Sequence, residues 1–491
     1  MPTDTALAPA LPRVPRARLI VAAMLISTFM AAVEVTVIST AMPTIVATLG
    51  GFRLFSWAFG IYLLAQAVMT PLYGRLADTF GRKSVYLGGT ALFLAGSLLC
   101  GLAWSMPALI LFRAIQGIGG GSLAPLATTI LGDISAPEDR PKLIGYVSGI
   151  WGIAAVVGPL LGAFFVHTLG WEFCFWVNLP VGLVTMTMVW RFLQEDPRLR
   201  AFAPIDLAGC LLLIAGLGTM MAALVGFDRL STSGLIGWLA LAALLLGGFA
   251  WRERRVPHPL LPLHLVLRPL LLVANGSALL AGALLIAVTA FLPPLVQGVL
   301  GGSALASGIL LGVLTVAWTA ASMTIGRAVG RGQDRMLAAA SAFLILLGMA
   351  ALVPIAAARS LPGLDLIAIP IGAGMGLLSI VFTVAAQSGV AARERGRSTA
   401  LFYFSRLMGQ ALGAAAFGGV LNAGLGDTHG HDLMRELVDP VLRAGLAAPD
   451  LATASARLGG ALHGVFLVAA VIAAVTLIVV LLTPRVGTAR R

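Results

Sequence analysis

The chain has 491 residues, 59% of them hydrophobic and only 11% charged, with a formal net charge of +12. Soluble domains carry roughly 25% charged residues, so this composition excludes a soluble globular protein. The cations are spread through short segments between apolar runs, which argues against a nucleic-acid partner despite the positive balance.

Apolar runs long enough to cross a hydrocarbon layer of about 30 Å as helices recur along the whole chain. Fourteen are expected, near 19–42, 54–73, 85–104, 107–131, 142–166, 173–192, 205–226, 233–251, 272–297, 304–326, 336–356, 364–388, 398–424 and 460–483. Alternating strand patterns are absent, so a β-barrel is not expected. The first run is too long for a cleavable signal of about 7–15 apolar residues. An even number of spans puts both ends on one side. Of the 32 Lys and Arg, 24 fall in the segments on that side and six on the other. The positive-inside rule then makes both termini cytoplasmic, with the cations held at an anionic lipid leaflet.

The first run contains AAVEVTVISTAMP, with Glu34 at its middle. A charge at such a depth costs roughly 2.5–3.5 kcal/mol on insertion scales, so it needs a partner or a proton. The second and third runs are joined by YGRLADTFGRKSV, which places Gly74, Asp78, Gly81, Arg82 and Lys83 in a tight inner loop. Small residues allow the reversal, and Asp78 suits a helix N-terminus. The fourth run carries LILFRAIQGIGGG, with Arg113 and Gln116. Glu34 and Arg113 lie about 12 and 9 Å below the same outer surface at 1.5 Å per residue. They are placed to pair directly or through water. Pairing favours the carboxylate and desolvation its protonated form, so movement that alters either exchanges a proton. Glu34 also reads as a static packing carboxylate, Arg113 as an organiser of its own span, and Arg406 as a snorkelling cation.

The fifth run carries GYVSGIWGIAAVVGPLLGAFF, in which Pro159 kinks the helix and Gly145, Gly158 and Gly162 permit close helix approach. Cys100, Cys174 and Cys210 lie in apolar runs and imply no disulfide framework. His429 and His431, in the outer segment of about 425–459, read as solvated loop, and no metal site or cofactor is expected.

The YGRLADTFGRKSV loop resembles the signature of the major facilitator superfamily, and lies between the same two spans. The arginine stretch of the fourth run resembles that of proton-coupled members. The fifth run resembles the antiporter motif, with Ala154 and Ala163 in place of two glycines. The VEVTVISTAMP stretch resembles the first-span motif of the fourteen-span drug:proton antiporter family, with Glu34 for its aspartate and Ser39 for its asparagine. WEFCFWVNLPVGL (171–183), LPPLVQGVLGGSALASG (292–308) and RSTALFYFSRLMGQALG (397–413) fit the same family, so the resemblance covers nearly the whole chain. It departs at Glu172, where a cation is usual, and at 326–335, where the second loop copy lacks its acid.

The resemblance implies an all-α membrane protein with the major facilitator fold: two six-helix bundles, 19–192 and 272–483, and a linker at 193–271 carrying two inserted helices. Residues 1–18 and 484–491 are its cytoplasmic ends. It implies a central cavity lined by the spans of Glu34 and Arg113, and an inner gate at Asp78 with Arg82. The expected activity is proton-coupled export of small lipophilic neutral or monocationic compounds by alternating access, in a monomer of the inner membrane. A proton-coupled symporter, or an exporter dedicated to one metabolite, is the alternative. An enzyme is not expected, because the spans hold one deep acid and no catalytic cluster.

Overall fold

In lipid, every backbone N–H and C=O must find a partner within the chain, so apolar runs of this length fold as helices. The computed structural model describes residues 15–135, 140–195, 206–257, 259–325, 333–358, 361–388, 394–426 and 445–483, with isolated residues at 329, 390, 391, 437 and 443. Among them are fourteen long helices and no strand. These are α1 (Pro15–Leu49), α2 (Phe55–Phe80), α3 (Arg82–Gly101), α4 (Met106–Ile134), α5 (Arg140–Thr168), α6 (Asn178–Phe192) and α7 (Leu207–Val225). They continue as α8 (Thr232–Glu253), α9 (Pro269–Pro294), α10 (Ala304–Ile325), α11 (Asp334–Ala358), α12 (Leu361–Ser388), α13 (Arg395–Leu425) and α14 (Ala448–Leu481).

Among the described residues, thirteen stretches are long and apolar enough to cross a membrane, one fewer than the fourteen expected. The missing one is α13. It is 31 residues long, rich in Gly and Ala, and carries Arg395, Arg397 and Arg406. Its small residues serve close packing rather than hydropathy. A Cβ on Gly409 would strike the carbonyl of Leu279 on α9, and one on Gly418 would strike Ser56 on α2.

Helices α1 to α6 pack on one another, with α4 touching α1, α2 and α3, and α1 lying along α5 and α6. Helices α9 to α14 form a second set, in which α12 touches α10, α11 and α13, and α14 lies on α9, α11 and α13. The sets meet where α2 packs on α13 and α5 on α10, so the second and fifth helices of each set face the fifth and second of the other. Such a pairing fits repeats related by a pseudo-two-fold axis. Helix α7 rests on α13 and α2. Helix α8 packs on α7, and only 11% of its span is buried.

Side-chain caps close several helix ends. Ser105 accepts from Ala108 N (3.4 Å) at the start of α4, and Asp206 from Gly209 N (3.0 Å) at the start of α7. Asp206 also pairs with Arg252 at the end of α8 (2.7 Å), which binds the two helices into a hairpin.

The ends of α2, α6 and α8 and the starts of α3 and α9 lie on the side rich in arginine, here termed the basic side. On the opposite, far side the two helix sets are in direct contact. Phe55, Phe291 and Phe417 form an edge-to-face chain with centroids 5.7 and 5.9 Å apart. Gln297 donates to the carbonyl of Thr40 (3.2 Å), and Asn422 to that of Arg53 (3.2 Å). Gln297 sits in a π-turn (Leu295–Val299) that follows Pro293 and Pro294.

Candidate functional site

Five helical segments converge on Glu34. Arg113 Nη1 on α4 lies 2.5 Å from Glu34 Oε1, and Asn178 Nδ2, at the start of α6, donates to Oε2 (2.6 Å). Arg113 Nη1 also donates to Gln116 Oε1 (2.7 Å) and Nε to the carbonyl of Ala58 on α2 (3.1 Å). Gln116 Nε2 donates in turn to Ser97 on α3 (2.8 Å). The guanidinium lies over the Tyr62 ring, 4.1 Å from its centroid. Glu34 is 0% and Arg113 2% exposed. Each carboxylate oxygen thus has a donor, which is the condition for keeping a charge in a low-dielectric interior.

The depth arithmetic brings these two residues to one level, and the structure joins them directly. It does not place them in the central cavity, as the resemblance implies. Rotation about the helix axes turns both side chains into the core of the α1–α6 set. Sequence reasoning passed over Asn178 and Ser97. Their signal is a lone amide in VNLPVG and a hydroxyl in an otherwise apolar run.

The opening stretch and the antiporter-like run form one seam. Thr36 Oγ1 donates to the carbonyl of Ala154 (3.3 Å), and Thr40 Oγ1 to that of Pro159 (3.2 Å). Gly158 and Gly162 lie under these threonines, and a Cβ on either would collide with the hydroxyl. Gly145 lies nearer the start of the same helix.

The expected loop 74–84 is mostly helix. Gly74 and Asp78 belong to α2, Arg82 and Lys83 to α3, and the reversal is Gly81 alone, with φ +92°. Asp78 is exposed and has no described ion pair or hydrogen bond. Arg82 Nε pairs instead with Asp133 at the end of α4 (2.7 Å). Lys83 holds the end of α6, its backbone N–H donating to Glu195 (2.7 Å) and its Nζ to the carbonyl of Leu193 (2.9 Å).

A cleft opens in the other helix set, among α9, α10, α12 and α13. Its lining includes Ser277, Trp318, Met375, Phe382, Phe402 and Arg406. Trp318 and Phe382 line this cleft, whereas Phe59 packs edge-on against Phe55, 5.5 Å away. Arg406 does not snorkel: its guanidinium lies 5.1 Å from the Trp318 centroid. No carboxylate is among the lining residues. The expected monocationic cargo therefore lacks its counter-charge, since Glu34 is sealed in the opposite set. His429 and His431, and six of the residues 326–335, lie outside the described residues. From the 425–459 segment, Arg443 Nη1 donates to the carbonyls of Gln297 (3.0 Å) and Gly298.

Two opposed helix sets, with a buried ion pair in one and a cleft in the other, have the architecture of a secondary membrane transporter. The Major Facilitator Superfamily profile matches residues 24–414, and the chain belongs to that superfamily. It is 33% identical over 407 residues to Multidrug resistance protein 3 of Bacillus subtilis (strain 168), covering 82% of this chain and 79% of that one. It is 32% identical over 420 residues to Multidrug transporter protein MdtP of the same organism, covering 83% and 76%. The fold is similar to that of a bacterial homolog of the human lysosomal transporter Spinster, solved in an inward-facing and unoccupied conformation. The TM-score is 0.66 at 16% identity, covering 96% of this chain and 98% of that one.

Proposed function

We propose that the chain is a proton-coupled secondary transporter that exports small lipophilic compounds by alternating access, in the manner of a fourteen-span drug:proton antiporter. In this reading α1–α6 and α9–α14 are the two six-helix bundles, α7 and α8 are inserted beside them, and α13 is the fourteenth span. The basic side is cytoplasmic, and the protein is a monomer of the inner membrane.

One observation carries the reading: the ionisable pair and the apolar cleft lie in different helix sets. A proton arriving at Glu34 would cancel its attraction for Arg113 and loosen α1 against α4. Helix α1 is keyed to α5 through Thr36 and Thr40, and α5 packs on α10, which bears Trp318 of the cleft. A shift of α1 is therefore passed across the interface as a rigid-body movement. One charge entering down about 100 mV supplies about 2.3 kcal/mol, enough to bias a two-state equilibrium. The cleft's aromatic and thioether lining supports lipophilic neutral cargo, and the names of the two relatives agree with efflux of small molecules.

The test is purified protein in proteoliposomes with an imposed pH gradient and an entrapped lipophilic dye. Dye movement should require the gradient and stop on addition of a protonophore. Movement that continues unchanged after the gradient collapses would overturn the proton-coupled reading.

A further inference from the structure

The cleft contains a cation that the proposed mechanism does not use. Arg406 lies 11 residues into α13, and its backbone is pinned: a Cβ on Gly282 of α9 would strike the Arg406 carbonyl. The guanidinium is held over Trp318. Among the described residues it forms no ion pair with any carboxylate. Arg113, the buried arginine of the other set, has Glu34, so the two sets treat their internal cations differently. Ser277 adds a second, independent observation. It lines the same cleft, is 0% exposed, and its hydroxyl has no hydrogen-bond partner.

Arg406 is half-buried; a guanidinium has five donors and no acceptor, and a charge drawn partly out of water without a counter-ion is unfavourable. A hydroxyl left unpaired in the interior also costs free energy. Both deficits are met by one kind of guest, an oxyanion whose oxygens take the guanidinium fork and the Ser277 hydroxyl. Phe382, Phe402 and Met375 form the rest of the wall and suit an apolar body attached to that group.

We propose that this cleft binds amphiphilic organic anions, in which an aromatic or aliphatic body carries a carboxylate or a similar oxyanion held by Arg406 and Ser277. This deepens the transporter reading, on which it rests, by naming a charge class of cargo. It also reverses the sign of charge expected from Glu34.

The experiment measures binding to the purified protein in detergent, without a gradient, so a failure of transport leaves its result unaffected. The probes are naphthoate, naphthamide and naphthylmethylammonium, which share one ring system. Naphthoate should bind about tenfold or more tightly than the ammonium, as expected for hydrogen bonds to a charged group. Arg406→Gln should remove that preference, Arg406→Lys should keep part of it, and Ser277→Ala should weaken naphthoate alone. Naphthoate should raise the unfolding temperature of the parent and not that of Arg406→Gln. The empty Arg406→Gln protein should unfold no earlier than the parent, because it loses an unpaired charge, whereas a purely structural arginine would lower it. Ammonium binding equal to or tighter than naphthoate, or an unchanged preference in Arg406→Gln, overturns the proposal. Added phosphatidylglycerol should leave naphthoate binding intact. Full displacement by that lipid would assign the cation to a headgroup and also overturn it.

Discussion

The Thr36 hydroxyl occupies the space that a Cβ on Gly158 would need. Thr40 stands in the same relation to Gly162 one turn on, so α1 and α5 interlock along two turns. The two contacts differ in what surrounds them. At Gly158 the nearest atoms belong to the Thr36 side chain, whereas at Gly162 the backbone carbonyl of Val37 is also 2.5 Å from the added atom. Gly158→Ala should therefore destabilise the protein by roughly 1–3 kcal/mol, and Thr36→Ala in the same chain should recover part of the loss. Gly162→Ala should cost at least as much and gain little from Thr40→Ala. Thermal unfolding in detergent reads both pairs; equal rescue at the two sites would show that backbone contact does not limit the seam.

Glu34→Gln keeps one acceptor oxygen for Arg113 or Asn178 and removes the charge. Folding and membrane insertion should persist, while gradient-driven transport falls at least about tenfold. Glu34→Asp should keep part of the activity. Glu34→Ala should also destabilise the fold by about 3–5 kcal/mol, because buried Arg113 then loses both its counter-ion and the acceptor oxygen that Gln retains. Proteoliposome transport and thermal unfolding separate the two effects. Parental transport by the Gln variant would mean that the pair is static.

Asp78 is free of described partners in this conformation, which suits a gate whose docked form belongs to the other state. Asp78→Asn should leave unfolding unchanged and lower transport. A thiol introduced at the cleft by Ser379→Cys should then label faster from the basic side, since the closed form is depopulated. Arg82→Gln breaks a half-exposed pair with Asp133 and should cost no more than about 1 kcal/mol. Unaltered labelling and transport in Asp78→Asn would leave that residue no gating role.

Gln297 joins the two helix sets on the far side through Thr40 and also donates to Ser307 (3.2 Å). Gln297→Leu removes both bonds. Only the bond to Thr40 crosses between the sets; at about 0.6 kcal/mol, typical of hydrogen bonds between membrane helices, its loss shifts the conformational balance roughly threefold. A thiol placed by Ser56→Cys, in the far-side contact with α13, should become correspondingly more reactive from that side. No change in its labelling rate would show that the aromatic chain alone holds the far side shut.

The positions of the helices are legible from hydropathy because the bilayer allows little else. The meeting of Glu34 and Arg113 is legible too, because depth follows from counting residues along a helix. Rotation about the helix axis is not, since an all-apolar span has no polar face to orient it. That is why the resemblance puts the span of Glu34 on the cavity while its side chain proves to be sealed, and why Arg406 reads as a snorkelling cation and proves to line the cleft. Asn178 escapes notice because one amide in an apolar run is common and its partner is 144 positions away. Helix α13 sits low on hydropathy for a physical reason: glycine and alanine score weakly and pack closely.

Only 11% of the α8 span is buried, so in a bilayer most of its 22 residues, about 33 Å at 1.5 Å per residue, would face acyl chains. A thinner hydrocarbon layer would be met by tilting this helix, since few neighbours resist it. Its last residue, Glu253, accepts from the backbone N–H groups of Leu260 and Leu261 (2.9 and 2.8 Å), and the adjoining carbonyl of Pro259 accepts from Arg75 of α2. The tilt is thus relayed through a short polar strut to a helix at the interface between the two sets. In the proposed transporter, acyl-chain length would then act on the balance between the two sets through a hairpin remote from both the Glu34 pair and the cleft.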